Sequence, residues 1–107
     1  MISTHILDTS LGVTAQGVVV ELAKYENEKW QEIASDKTNS DGRIVFNCAP
    51  QEGVYRLKFK VEDYFLKNKI TPFFIVAPVV FKIEDTSRKY HIPLLLNPFG
   101  YSTYRGS

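Results

Sequence analysis

The sequence has little that would suit it to disulfide bonding, membranes or polyanions. It contains one cysteine, Cys48, which excludes an internal disulfide; with no basic residue near it in sequence to activate it, the thiol is expected to be inert and buried. No apolar stretch approaches the roughly 20 residues that cross a bilayer. The richest, from Ile70 to Val80, is broken by Pro72 and Pro78. Residues 1 to 20 lack the basic start and long apolar run of a secretory signal, and Arg105-Gly106-Ser107 is not a peroxisomal address, so a cytoplasmic protein is expected. Neither sign of charge dominates: 13 basic residues face 12 acidic ones, which implies neither nucleic acid nor an anionic membrane as partner. Glycine-rich phosphate loops, nucleophile elbows and paired-carboxylate signatures are missing. Histidine and cysteine never stand at metal-ligand spacing, so neither a metal nor a cofactor is expected.

What is present is the composition of a soluble globular protein, 44% hydrophobic and 23% charged, at a length of 107 residues that suits a single domain spanning 1–107. Apolar and β-branched residues come in short runs separated by turn signals, the pattern of a β-sandwich or barrel. The runs are Ile2 to Leu7, Val18 to Tyr25, Trp30 to Ser35, Arg43 to Phe46, Val54 to Val61, Val79 to Glu84 and Tyr90 to Leu96, followed by a terminal segment from Tyr101 to Tyr104. Asn39-Ser40-Asp41-Gly42 is the strongest turn signal and reads as a hairpin. The one plausible helix is Glu62 to Lys69, with acids in its first turn and lysines in its last. Trp30, Tyr64, Phe65, Phe73, Phe74 and Phe81 read as core or interface, because no basic stripe interleaves with them.

The chain has two histidines, and the two-residue period of a strand places both on non-core faces. Tyr90, Ile92, Leu94 and Leu96 point one way, His91, Pro93 and Leu95 the other; Ser3, His5 and Leu7 share a face opposite Ile2, Thr4 and Ile6. Imidazole titrates near working pH, so such a pair can serve as general acid and base. Pattern alone fits ordinary surface histidines as well. Arg43 follows Asp41-Gly42, where a guanidinium can meet a carbonyl-rich or anionic ligand or simply be solvated. From the residues by themselves no reaction can be named.

The run Tyr90-His91-Ile92-Pro93-Leu94-Leu95-Leu96-Asn97-Pro98-Phe99-Gly100-Tyr101-Ser102-Thr103-Tyr104-Arg105-Gly106-Ser107 resembles the C-terminus of the 5-hydroxyisourate hydrolases, transthyretin-like proteins that end in Tyr-Arg-Gly-Ser. Ser3-Thr4-His5-Ile6-Leu7-Asp8-Thr9-Ser10 with Gly12 resembles that family's N-terminal motif, and Thr38-Asn39-Ser40-Asp41-Gly42-Arg43 its middle one. The resemblance spans the chain. It implies a transthyretin-like sandwich of about eight strands in two sheets with one short helix, assembled as a homotetramer. It also implies hydrolytic ring opening of 5-hydroxyisourate in urate degradation. The family's active-site residues fall on His5, Arg43, His91 and Ser107 as catalytic groups, with His5, Arg43, Tyr104 and Arg105 as substrate contacts. The chain departs from the family at Thr14, where proline is common, at Phe99, where tyrosine is frequent, and at Lys89, where many members have a further histidine. The competing expectation is a non-catalytic transthyretin-like carrier; the Tyr-Arg-Gly-Ser ending and the paired histidines speak against it.

Overall fold

The computed structural model describes residues 1–107. Two sheets face each other across a single core. The first carries β1 (Ile2–Asp8), β2 (Val13–Thr14), β5 (Arg43–Phe46), β8 (Tyr90–Asn97) and β9 (Gly100–Thr103). The second runs in the order β4 (Lys29–Lys37), β3 (Val19–Glu26), β6 (Gly53–Phe59), β7 (Ala77–Ile83). One helix, α1 (Val61–Lys67), follows β6. This is the expected transthyretin-like sandwich.

Alternation builds the core as the strand period requires. Ile2 and Ile6 of β1, Tyr55, Leu57 and Phe59 of β6, and Tyr90, Ile92, Leu94 and Leu96 of β8 all turn inward and are buried. The polar side chains that share these inward positions are satisfied. Thr4 Oγ1 donates to the Ile92 carbonyl at 2.7 Å, and buried Asp8 accepts from Ser10 N at 3.0 Å through Oδ1 and from the Tyr64 hydroxyl at 2.8 Å through Oδ2. That last bond ties α1 to the end of β1. It also helps to push the Tyr64 phenol well above its ordinary pKa, second to burial itself.

Several expected boundaries shift for identifiable reasons. The helix begins at Val61 and ends at Lys67, because Val61, Tyr64 and Phe65 form a stripe at helical spacing that the core takes up; Val61 thus leaves the strand to which alternation had assigned it. A ninth strand appears, since Val13–Thr14 pair with Leu7–Asp8. Asn27 and Glu28, at φ 52° and 63°, make a two-residue connection, so Lys29 opens β4 instead of belonging to the turn. Asn39 to Gly42 is not a hairpin: β4 and β5 lie in different sheets, and the turn carries the chain across the sandwich. Gly42 permits this. At φ +72° it packs so closely on β1 that a Cβ would lie 2.6 Å from the Ile6 carbonyl oxygen.

Candidate active site

β1 is the hub of the first sheet. It pairs in parallel with β8, Ser3 opposite His91 and His5 opposite Pro93, and antiparallel with β5, His5 opposite Arg43. Residues opposite one another project to the same face. Ser3, His5, His91 and Arg43, drawn from three strands, therefore gather on the outer face of one sheet. The Gly42 turn sets Arg43 at the start of β5 and so beside His5; the Gly42 carbonyl in turn accepts from the Ile6 N–H at 2.8 Å.

His91 is the best-held of the group. Its Nδ1 lies 2.8 Å from Ser3 Oγ. On its other side the C-terminal tail returns antiparallel: Gly106 N donates to the His91 carbonyl at 2.7 Å. The tail runs so near that a Cβ on Gly106 would meet the ring's Cδ2 at 2.6 Å. Only glycine fits there without displacing ring or tail.

Partial burial, together with the charges of Arg43 and then His5, holds the His91 imidazole below its ordinary pKa. The ring is therefore neutral at neutral pH, the form required of a proton acceptor. His5 is half-buried and Arg43 exposed, so the guanidinium's fork of donors is free for a ligand.

The other expected site residues lie differently. Tyr104 and Arg105 do not join the cluster; with Phe81, Tyr90 and Ile92 they line a groove of about 440 Å³ between the sheets at the β7 and β9 edges. Neither of the chain's two grooves includes His5, Arg43 or His91, whose surroundings form an open sheet surface. Ser107 is exposed, one residue beyond the Gly106 bridge to His91. Two contributors escaped the sequence reading: Ser3, whose face was seen but not its bond to His91, and Gly106, whose value lies in having no side chain.

Residues 2–106 match the HIUase/Transthyretin family. The chain belongs to this family. It is 46% identical over 115 residues to a 5-hydroxyisourate hydrolase of Halalkalibacterium halodurans, a match covering 99% of this chain and 97% of that one. Its fold is similar to that of Klebsiella pneumoniae 5-hydroxyisourate hydrolase, with a TM-score of 0.87 and 35% identity over 99% of this chain and 92% of that one. It is similar also to sea bream transthyretin in complex with thyroxine, at a TM-score of 0.91 and 32% identity over 98% and 93% of the two chains. The HIUase/Transthyretin fold thus accommodates both a hydrolase and a ligand-binding protein, and the backbone alone does not choose between them. Sequence identity favours the hydrolase side, and so does the side-chain chemistry of the outer face.

Proposed function

We propose that this chain hydrolyses 5-hydroxyisourate, opening its ring to 2-oxo-4-hydroxy-4-carboxy-5-ureidoimidazoline in urate degradation, with His91 as general base, Arg43 as carbonyl anchor and His5 as a polarising partner. The observation that carries the reading is the neutral, doubly braced His91 beside Arg43 and His5 on one face.

In this mechanism His91 takes a proton from water as the water oxygen bonds to a ring carbonyl carbon. The carbonyl electron pair moves onto oxygen, where the Arg43 guanidinium holds it through donors that a lysine lacks. Collapse of the adduct breaks the ring C–N bond, and the imidazolium returns its proton to the departing nitrogen. No external oxidant or cofactor is needed for this sequence. His5 orients the water or the carbonyl from the neighbouring strand.

Ser107 follows Gly106 past the His91 strand, and its side chain would close the site. Tyr104 and Arg105 contact substrate only if a second copy of the chain brings its tail to this surface. We therefore also propose homotetrameric assembly, in which a neighbouring subunit supplies walls to the open face. Cytoplasmic residence suits the lone, unpaired Cys48.

The test is the loss of freshly generated 5-hydroxyisourate followed by ultraviolet absorbance. His91→Ala and Arg43→Ala are each expected to lower the rate by roughly 10²-fold or more. Either variant staying within about threefold of the unsubstituted protein would remove that residue from the machinery.

A further inference from the structure

Resting on the reading above, we propose that Ser3 is a positioning residue which sets the tautomer of His91, keeping the proton on Nδ1 so that Nε2 presents its lone pair to the reacting water.

The geometry leaves Nε2 as the working nitrogen. Nδ1 is engaged by Ser3 Oγ at 2.8 Å within the sheet, whereas Nε2 has no partner in the chain. The opposite orientation forfeits the bond to Ser3. A half-turn of the ring would bring Cδ2 to the serine, which it cannot bond, and would set Nδ1 against the Gly106 backbone that now packs on Cδ2. Ser3 and Gly106 thus fix the ring from two sides. A base acting through Nε2 must carry its neutral-state proton on Nδ1, which in turn needs an acceptor.

Ser3 Oγ is the acceptor in place. It lies directly across the parallel β1–β8 pair from His91, and the residue opposite it on β5 is Val45, which offers no competing side-chain partner. The hydroxyl keeps this bond after Nε2 has taken a proton, because the imidazolium also donates through Nδ1. One contact therefore serves both protonation states. Ser3 touches neither water nor substrate in this scheme; it acts through the ring.

The experiment records ¹⁵N resonances of His91 above its pKa in the full-length protein, with Ser3→Ala, Ser3→Thr and Ser3→Val, and sets them beside kcat and KM. The ordinary protein and Ser3→Thr are expected to show protonated Nδ1 and bare Nε2. Ser3→Ala and Ser3→Val should shift towards the Nε2–H form, with kcat about 10-fold lower, a part of what a general base supplies, and KM little changed. Since valine matches threonine in shape, that pair separates the hydroxyl from packing if alanine perturbs the fold. An Nε2–H tautomer in the ordinary protein would overturn the proposal. So would a tautomer and kcat that do not respond to loss of the hydroxyl. If the ordinary protein fails to turn over 5-hydroxyisourate, the functional reading fails, while the ¹⁵N result still decides what Ser3 does to the ring.

Discussion

His91 shows how much a two-residue period conveys and where it stops. Alternation was enough to place His91 and His5 outside the core, because each stands between inward-facing, buried neighbours one residue away. It conveyed nothing about Ser3, whose bond to His91 joins residues 88 apart and exists only because β1 and β8 lie parallel in one register. Gly106 was equally hidden. Its function is a missing Cβ against a ring, and such a close approach has no local signature. The charge of Arg43 gives a prediction at this scale. Burial lowers the His91 pKa first and Arg43 adds to it, so Arg43→Met should raise that pKa towards the ordinary imidazole value of about 6.5, as read by NMR titration. The folded form binds its proton less readily than the unfolded chain. The stability that His91 contributes is thus present above about pH 6.5 and is lost as pH falls from there towards the lower folded value. A pKa unchanged in Arg43→Met would show that the two groups do not interact.

At the scale of elements, strand runs were legible because each inward apolar position repeats against the same core. The helix was found, though its start was misplaced by one residue: Val61 fits a strand's alternation and a helix's stripe equally well, and only contact with the core decides. The turn from Asn39 to Gly42 was located correctly but misread as a hairpin, since the same glycine chemistry serves a crossing between sheets. The helix is joined to β1 by one buried side-chain bond, Tyr64 to Asp8. Tyr64→Phe removes the donor and leaves a carboxylate oxygen without it, for which about 1.5–3 kcal/mol of stability should be lost in urea denaturation. A loss below about 0.5 kcal/mol would show that solvent replaces the hydroxyl without cost.

For the whole molecule, the sandwich follows from the strand pattern, whereas the open character of the site does not. Periodicity distinguishes inside from outside, but it does not say whether an outside face meets water or another subunit. Two predictions belong here. In solution the chain should sediment at four times its 12.2 kDa mass; a monomer retaining full activity would show that no neighbouring subunit is needed. Deleting Arg105 to Ser107 removes the tail that covers His91, and should abolish turnover while leaving the circular dichroism of the fold unchanged. The most direct test of the central claim uses the substrate's own instability. 5-Hydroxyisourate decays spontaneously to product without handedness, so the circular dichroism of product formed from freshly generated substrate reports enzymatic opening alone. The unsubstituted protein should yield one enantiomer, and the combined His5→Ala, Arg43→Ala, His91→Ala variant only the racemic product at the spontaneous rate; racemic product from the unsubstituted protein would contradict the account.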